Sequence, residues 1–494
     1  MDWGNQPLPY RLYDGAEKIK LPFMQGNKRL EVDKQPDDIN LNAIAAMLEL
    51  SLGLSAWKQY GDSEWALRIN PSSGNLHPTE CYLLLPELDQ QSACGAHYNP
   101  YIHSLEKRAA FPSEHLKWFN NSSGFALILT SIAWRESWKY GERAFRYCQH
   151  DLGHALAALA FACNLNGWKI QLLDEVVPEQ LGKLLDLKQL AGETEYVDCI
   201  CWVSTIDIQA EQVIQWLNQL PLLKSPYQPN QLSSEYQDWP IINQVWQASQ
   251  AQSVKHRAAE NNKQAAQLVF SNAFSSEKII RQRRSAQSFD RRLSQCDFNG
   301  FLQTLQQTLP SNSSPFSLFC HPTHVHLVIF VHAVKGLASG LYFWLRQPSH
   351  LKDLKKQMHS DFEWLQVQDK EPLYCLKKGD FRATSETISC NQNIASDSAY
   401  SLAMLAQFAD LLTADPSNYP RLYWETGLIG QVLYLQAEER GLRGTGIGCF
   451  FDDQMHQLLG LTNDKWQDLY HFTVGYPIED KRLQTKPAYF YLQQ

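Results

Sequence analysis

One long stretch of the chain occurs twice, and this repeat limits the folds that the sequence can adopt. The segment HDLGHALAALAFACNLNGWKIQLLDEVVPEQLGKLLDL begins at His150 and matches ETGLIGQVLYLQAEERGLRGTGIGCFFDDQMHQLLGL, which begins at Glu425. A single offset of 274 residues places Gly167 on Gly441 and three leucines of the first segment on leucines of the second. A constant offset without a gap over nearly forty residues predicts two copies of one domain.

Both copies predict the same order of secondary-structure elements. Leu428, Val432 and Leu435 have helical spacing and precede Gly441, and the first copy has the same pattern before Gly167. A strand and a short amphipathic helix follow, and each copy closes with a β-like run, YVDCICWVSTI or LYHFTVGYP. Helices and strands are mixed without regular alternation, so the predicted class is α+β.

The domain boundaries follow from the repeat and from local composition. The 494 residues are too many for one ordinary core. We predict a first domain at residues 1–205 and a second at 271–494. Residues 206–270 are rich in Gln, Ser, Asn and Pro and predict a linker with its own helices, for example in QAAQLVF.

Composition narrows the functional classes. The formal net charge of −8 argues against nucleic acid as the main partner, because that role needs a basic face. No apolar run has the length of a signal sequence or a membrane span, which predicts a cytoplasmic protein without a membrane partner. The eleven cysteines contain no C-x-x-C pair, so we expect reduced and mostly buried thiols.

The two copies have kept different motifs. The first alone has RINPSSGNLHP, Arg68–Pro78, with the turn chemistry of an exposed loop whose hydroxyl and N–H groups can face a polar ligand. The second alone has GTGIG, Gly444–Gly448, where the lack of Cβ atoms lets a ligand approach the backbone. The arginine-rich segment IIRQRRSAQSFDRR also belongs only to the second copy. Complementary losses predict one working site between the copies and one degenerate site.

Four motifs resemble the flavin-dependent nitroreductase superfamily, in particular its thiazoline-oxidising, SagB-type dehydrogenase branch. They are RRSAQSFD, PSSGNLHPTE, KYGERAFRYCQHDLGHALAALAFA, and GLRGTGIGCFFDD with FTVGYPIEDKRL. The resemblance covers nearly the whole chain. It implies two tandem nitroreductase-like domains that form an intramolecular pseudo-dimer, a monomeric protein, and one FMN between the domains.

The resemblance also implies which residues bind FMN. The Arg-Arg-Ser motif would grip the phosphate and ribityl chain through Arg283, Arg284 and Ser285, since paired guanidinium groups bind phosphate oxygens bidentately. The other domain would meet the isoalloxazine ring through Pro71, Ser72, Ser73, Gly74 and Asn75. The glycine-rich strand would lie near flavin N5 through Gly446, Ile447 and Gly448, and the last basic pair, Lys481 and Arg482, would close on the phosphate.

Two further positions bear on the chemistry. Gln287 stands where the family commonly has Arg or Lys, so the reduction potential of the flavin could be lower, or another cation could substitute. Lys139 and Tyr140 resemble a Lys-Tyr pair that the thiazoline-oxidising branch uses for proton removal. They can equally pair with Glu142 or pack at the interface.

Three functions are compatible with these residues. The first is an FMN-dependent oxidoreductase that transfers hydride through flavin N5, with NADH or NADPH as a possible electron donor. The second is an azoline (thiazoline or oxazoline) dehydrogenase acting on a modified peptide, and the third is a flavin-binding scaffold without catalysis. GTGIG lacks the spacing of a dinucleotide fingerprint. No metal site is predicted, because neither His150 with His154 nor His321 with His324 and His326 has a persuasive further ligand.

Overall fold

Each half of the chain builds one seven-stranded antiparallel sheet in the computed structural model. The structure describes residues 2–24, 34–174, 176–207, 210–250, 276–311, 313–319 and 321–492. The predicted α+β class with two tandem domains is therefore confirmed. The proposed boundaries at 205 and 271 stay a prediction.

The first half contains nine strands and seven α-helices among its described residues. The strands are β1 (Glu17–Lys20), β2 (Leu54–Tyr60), β3 (Ser63–Arg68), β4 (Thr79–Leu85), β5 (Cys94–Asn99), β6 (Ser104–Ala110), β7 (Gly124–Ile132), β8 (Lys169–Leu172) and β9 (Glu195–Ser204). The helices are α1 (Leu41–Glu49), α2 (Leu116–Asn121), α3 (Ala133–Tyr140), α4 (Ala144–Leu165), α5 (Pro178–Leu184), α6 (Ala210–Leu217) and α7 (Pro240–Ala248).

The second half contributes ten strands and eight α-helices to the described part of the chain. The strands are β10 (Cys296–Asp297), β11 (Val325–Val331), β12 (Val334–Lys335), β13 (Gly340–Trp344), β14 (Leu365–Gln366), β15 (Leu373–Lys378), β16 (Tyr400–Gln407), β17 (Arg443–Ile447), β18 (Trp466–Gly475) and β19 (Gln484–Lys486). The helices are α8 (Ser276–Gln282), α9 (Phe298–Gln306), α10 (Leu351–Gln357), α11 (Arg382–Ile388), α12 (Asn393–Ser396), α13 (Ala409–Ala414), α14 (Asn418–Glu439) and α15 (Asp452–Leu459).

The two large sheets have the same topology. Their strand orders are β1-β6-β5-β4-β7-β9-β8 and β14-β15-β13-β11-β16-β18-β17. The predicted runs YVDCICWVSTI and LYHFTVGYP fall in β9 and β18, which pair with β8 and β17 at equivalent edges. Strands such as β4, β7 and β11 are buried along their whole length, as expected for strands covered on both faces.

Local sequence accounts for the ends of the long helices. Helices α4 and α14 both have 22 residues, and the glycines predicted to end them, Gly167 and Gly441, have φ values of 70° and 68°. This left-handed conformation is the one that favours glycine just past a helix end. The same signal therefore stops both helices at equivalent positions.

Helices α4 and α14 pack against each other between the sheets. Gly153 and Gly427, which the 274-residue offset places on each other, lie at their closest approach. A Cβ atom on Gly427 would lie 2.7 Å from the Cα of Gly153, and one on Gly153 would lie 2.9 Å from the Cα of Gly427. Equivalent residues that touch each other indicate a pseudo-twofold axis, so the two copies meet as subunits of a symmetric dimer do.

The C-terminal tail crosses to the first half. Strand β19 pairs with the β2–β3 hairpin, Trp57 donates from its indole N–H to the carbonyl of Ala488 at 2.9 Å, and the Tyr489 hydroxyl accepts from the N–H of Leu54 at the same distance. This small sheet lies close to the site described below, since Lys58 of β2 lines it.

Two helices, α6 and α7, lie within residues 206–270, the segment predicted to be a linker with its own helices. The segment QAAQLVF falls within residues 251–275, which lie outside the described residues. Over the ranges that the structure describes, no helix has both the length and the apolar character needed to cross a membrane.

Candidate functional site

Two neighbouring cavities between the halves share three residues, Pro71, Ser72 and Ser285. The first, of about 280 Å³, is called the basic cavity because its lining includes Lys58, Arg68, Arg283, Arg284 and Arg443. The second, of about 300 Å³, is called the glycine cavity, and its lining includes Gly74, Gly446, Gly448, Tyr140, Tyr147, Asp151, Tyr434 and Tyr470. The shared residues place the two cavities side by side.

The PSSGN loop contributes to both cavities. The sequence predicts an exposed loop, but only Gly74 is exposed, because the loop lies against residues of its own half such as Asp151 and Ala66. Ser73 donates from its backbone N–H and its hydroxyl to Asp151 at 3.0 Å. Gly74, Asn75 and His77 have φ values of 60°, 60° and 54°, and such backbone conformations in non-glycine residues concentrate at functional sites.

The arginine motif crosses from the second half to the first. Arg283 is buried and donates from Nη2 to the carbonyls of Arg68 and Ile69, each at 3.1 Å, while its buried Nε has no partner among the described residues. Arg284 donates to the carbonyl of Ser55 at 2.9 Å. The motif is therefore held by backbone carbonyls of the first half and lines the basic cavity from there.

Positive charge predominates in the basic cavity. Burial lowers the pKa of Arg284 to about 10, with Arg283 adding to the effect, and burial also lowers the pKa of Lys58. Arg443 pairs with the exposed Glu479 at 2.5 Å. Cations that are partly stripped of water gain most from an anionic ligand, so the basic cavity is suited to a phosphate.

The glycine cavity depends on missing side chains. A Cβ atom on Gly446 would overlap the Tyr470 hydroxyl, and one on Gly448 would overlap the Tyr147 ring. The N–H of Gly446 donates to the Tyr434 hydroxyl at 3.0 Å, which lies 2.8 Å from the hydroxyl of Ser285. Ile447, between the two glycines, lines the cavity as well. Tyr434 thus links the glycine strand to the arginine motif.

Two buried carboxyl groups lie at or near the glycine cavity. Burial raises the pKa of Asp151 to about 7, against hydrogen bonds from Ser72 and Ser73 that lower it. Burial raises the pKa of Glu136 well above its ordinary value, and the charge of Asp151 adds to the effect. Neither oxygen of Glu136 has a partner in the described part of the chain. A carboxyl group whose pKa lies near neutrality, as that of Asp151 does, can give or take a proton at physiological pH.

Lys139 and Tyr140 meet the PSSGN loop at Gly74. A Cβ atom on Gly74 would lie 3.1 Å from the Lys139 ammonium and 2.5 Å from the Tyr140 hydroxyl. The Lys139 ammonium lies 5.2 Å from the centre of the Tyr140 ring. Burial raises the pKa of Tyr140, and the charge of Glu136 raises it further. Tyr140 lines the glycine cavity, whereas Lys139 lines neither cavity.

Of the other residues predicted to bind FMN, some line the basic cavity and others lie outside both cavities. Gln287 and Asn75 line the basic cavity. Lys481 and Arg482 do not line either cavity, although their neighbours Glu479 and Asp480 do. Arg482 is exposed and pairs with Asp480 at 2.7 Å. The pair therefore lies outside the site in this conformation.

Sequence reasoning missed several lining residues, chiefly Lys58, Arg443, Asp151 and Tyr434. Arg443 directly precedes GTGIG and Asp151 lies within the quoted repeat, so each had a signal in its neighbourhood. Lys58 belongs to a hairpin without any motif. Its pairing with β19 and the hydrogen bond from Arg284 to the carbonyl of Ser55 place that hairpin beside the arginines.

The histidines of the two clusters make side-chain hydrogen bonds instead of a common site. His150 lies 2.9 Å from the hydroxyl of Thr426, His154 lies 3.2 Å from that of Tyr470, and His324 lies 3.2 Å from the amide oxygen of Gln407. The imidazoles of His326 and His350 are 3.0 Å apart. His154 also lines the glycine cavity.

The expectation of reduced thiols is wrong at one pair. Cys390 and Cys449 form a disulfide across 59 residues, because the α11–α12 connection folds back on the segment that follows Gly448. The eight free cysteines of the described residues are buried, apart from the partly exposed Cys296. Cys320 lies outside the described residues.

The position equivalent to the glycine cavity in the other half is almost filled. Leu172 and Asp174, which the offset places on Gly446 and Gly448, line a cavity of only about 40 Å³. Trp246 of α7 enters this space, and Asp174 pairs with Arg421 at 3.3 Å. The structure thus has one open cavity of this kind and one closed counterpart in the residues it describes.

Part of the chain matches a protein-family model, and nearly all of it matches a solved structure. Residues 280–476 match the protein-family model described as the Nitroreductase family. A crystal structure of a protein described as a nitroreductase from Anabaena variabilis ATCC 29413 matches with a TM-score of 0.71 at 21% identity, over 97% of this chain and 95% of that chain. No curated protein matches the chain.

Shorter solved structures match only part of the chain. The E. coli microcin synthetase McbBCD complex with truncated pro-MccB17 bound has a TM-score of 0.29 at 17% identity, over 40% of this chain and 80% of that chain. A protein from Exiguobacterium sibiricum 255-15, described as a nitroreductase in complex with FMN, has a TM-score of 0.27 at 12% identity, over 43% and 92%. Residues 280–476 therefore match the Nitroreductase family model, and the chain has a nitroreductase-like fold along nearly its whole length.

Proposed function

We propose that the protein is an FMN-dependent oxidoreductase with a single flavin bound between its two halves. The observation that carries the proposal is that a cation-lined cavity and a glycine- and tyrosine-lined cavity lie side by side and share Pro71, Ser72 and Ser285. A phosphate at one end and a flat aromatic ring at the other are what such a pair of cavities can hold.

The residues present fit FMN. Arg283, Arg284, Lys58 and Arg443 would hold the phosphate, and the unpartnered Nε of Arg283 is a donor that still needs an acceptor. The PSSGN loop and the strand from Gly446 to Gly448 would hold the isoalloxazine ring, since side chains at these glycines would take its space. Lys58 and Arg443 supply positive charge beside Gln287, where the family commonly has a cation.

The chain's own residues would supply binding, shape and proton handling. FMN, when bound, supplies a carrier that accepts and donates two electrons. Asp151 holds the PSSGN loop through the N–H and hydroxyl of Ser73, and Tyr434 holds the glycine strand against Ser285. Asp151 and Tyr140 line the cavity and can hold a proton at their oxygens, since burial raises the pKa of both.

The flavin content of the purified protein tests this proposal. The protein is purified without added cofactor, denatured to release bound flavin, and the flavin is identified and quantified. We expect one FMN per chain, because the counterpart of the glycine cavity has only about 40 Å³. Two FMN per chain would contradict the single site, and a protein that stays colourless after incubation with FMN would contradict the function.

A second candidate is an azoline dehydrogenase, which the position of Lys139 favours. Its ammonium lies beside Gly74, a residue of the glycine cavity, and 5.2 Å from the centre of the Tyr140 ring. Lys139→Ala should retain FMN and lose oxidation of a thiazoline-containing peptide, with Lys169→Ala, an exposed lysine of β8, as control. Equal oxidation by Lys139→Ala and the control would reject this candidate.

Reduction by nicotinamide nucleotides separates an enzyme from a non-catalytic scaffold. Bleaching of the flavin absorbance on anaerobic addition of NADH or NADPH would establish an electron donor and reject the scaffold. Flavin that neither nucleotide nor an azoline peptide reduces would favour the scaffold over both catalytic functions.

A further inference from the structure

A disulfide forms part of the wall of the glycine cavity. Cys390 and Cys449 are bonded with their Cα atoms 5.9 Å apart, and Cys449 lines the cavity directly after Gly448. Gln392 lines the same cavity and donates to the carbonyl of Cys449 at 3.4 Å. The bond therefore joins two segments, residues 390–392 and 446–449, that together form one side of the candidate site.

This pair differs from the other cysteines of the described residues in its access to solvent. Cys449 is exposed and Cys390 is partly exposed, whereas seven of the eight free cysteines are buried. Burial raises the pKa of thiols such as Cys148 well above the ordinary range, which makes them poor nucleophiles. The exposed disulfide can be reached both from the cavity and from outside.

The backbone around Cys390 has an uncommon conformation. Cys390 and Asn391 both have φ values of +56°, in the left-handed region that non-glycine residues seldom adopt. Residues held in this way occur most often at functional sites, where the surrounding structure imposes the conformation. Here the imposed turn directs Cys390 towards Cys449.

A buried chain of polar side chains ends beside the disulfide. Asp468 lies 2.6 Å from Nε2 of His471, and Nδ1 of His471 lies 3.2 Å from the hydroxyl of Ser389, the neighbour of Cys390. Phe450, the neighbour of Cys449, stacks on the His471 ring at 4.6 Å. One imidazole ring therefore contacts the neighbours of both cysteines and holds the two segments together beside the disulfide.

We propose that the Cys390–Cys449 disulfide is a second redox centre, through which the protein reduces disulfide substrates. Two electrons from the reduced flavin and two protons break the S–S bond and give two thiols, while the flavin returns to its oxidised form. The exposed Cys449 thiolate then attacks an external disulfide, and Cys390 resolves the mixed disulfide, so that the pair is reoxidised and two substrate thiols leave. This proposal rests on the proposed function, because the flavin supplies the electrons.

An anaerobic titration with dithionite tests the transfer, after the flavin content has been measured. Wild-type holoprotein should take up about two-fold more reducing equivalents per flavin than the Cys390→Ser/Cys449→Ser double variant, since each centre is a two-electron couple. Cys296→Ser, which removes a partly exposed free thiol elsewhere, should take up as much as wild type. Equal uptake by wild type and the double variant would overturn the proposal.

Thiol labelling gives a readout on the wild-type chain alone. N-ethylmaleimide followed by peptide mass spectrometry should label Cys390 and Cys449 only after the flavin is reduced. Apoprotein treated with the same dithionite should keep the pair unlabelled, and labelling at the same rate in apoprotein would overturn the flavin as donor. A chain without flavin overturns both proposals, whereas flavin-containing protein whose pair stays unlabelled overturns only this one.

Discussion

The glycine cavity beside α4 and its counterpart beside α14 have equivalent backbones and different contents. Gly446 and Gly448 leave room in the first, and Leu172 and Asp174 stand at the same positions in the second. The volumes are about 300 and 40 Å³. A duplicated fold can therefore keep a site in one copy and fill it in the other by a few substitutions, since packed interiors have little spare volume.

A second pair of equivalent positions, Asp151 and Glu425, carries a carboxyl group in both copies but uses it differently. Asp151 holds the PSSGN loop and keeps a pKa near neutrality. Its equivalent, Glu425, forms a buried ion pair with Arg346 and accepts a hydrogen bond from the N–H of His324 at 3.1 Å. One copy thus has a carboxyl group that can still exchange protons, and the other has used the same position for a structural ion pair.

Trp246→Ala should have the largest effect on stability, because Trp246 fills the closed counterpart. We expect the free energy of unfolding to fall by about 3–5 kcal/mol, as for other buried Trp to Ala changes, measured by urea denaturation. The flavin content should stay at one per chain, since the residues of the open site are unchanged. Trp3→Ala, at an exposed tryptophan, should cost less than about 0.5 kcal/mol. A second flavin bound to Trp246→Ala would contradict this expectation, because it would mean that the volume of the Trp246 side chain alone closes the counterpart.

Gly446→Leu would give the open site the residue of the closed one. The side chain would overlap the Tyr470 hydroxyl, so we expect a loss of about 3 kcal/mol in stability from overpacking and at least a roughly ten-fold fall in bound flavin, or about 1.4 kcal/mol in affinity. Gly182→Ala is the control, because its new Cβ would make an ordinary contact with Val197 at 3.5 Å. Normal flavin content in Gly446→Leu would show that this strand does not meet the ligand.

Asp151→Asn should change how stability depends on pH. The pKa of Asp151 is about 7 in the folded protein against an ordinary 3.8, so the folded state binds its proton more tightly than the unfolded state. This contribution to stability is therefore present at low pH and is lost as the pH rises towards 7, by about 2 kcal/mol between about pH 5 and 7.

Thermal unfolding of wild type and Asp151→Asn across this pH range measures the effect. The difference between their stabilities should shift in favour of the variant as the pH rises. Asp198→Asn removes a buried carboxyl group of the closed counterpart, where burial raises the pKa of Asp198 to about 6. The change in its stability relative to wild type should therefore be complete at a lower pH than that of Asp151→Asn. A constant difference between wild type and Asp151→Asn would contradict the raised pKa.

Tyr434→Phe should have the smallest effect. It removes the hydroxyl that contacts both the glycine strand and Ser285, a contact that only the second copy has. The offset places Tyr434 on Ala160, which has no hydroxyl. The variant leaves the N–H of Gly446 without its acceptor, so we expect a loss of about 1 kcal/mol and a few-fold weaker binding of FMN in a fluorescence titration of the apoprotein. Tyr374→Phe, at a partly exposed tyrosine of β15, should bind FMN as wild type does.

Much of the fold and part of the site could be predicted from the sequence. Helical spacing before Gly167 and Gly441 gave both long helices and their ends, because these signals act over one or two turns of the chain. Tyr140, Arg283 and Gly446 were expected in a site from motifs alone, and they line the two cavities. Lys58 could not be expected there, since its position depends on a hairpin that pairs with the distant β19.

The sequence by itself determined that the chain contains two copies of one domain and which copy keeps which motif. It also determined that a strand and a short helix follow each long helix. These properties depend on local spacing and composition. Tertiary structure decided that the arginine motif is held by carbonyls of the other half, that Lys481 and Arg482 lie outside the cavities, and that Cys390 reaches Cys449. Each of these depends on contacts between residues far apart in the chain, whose distances and burial follow only from how the two halves pack.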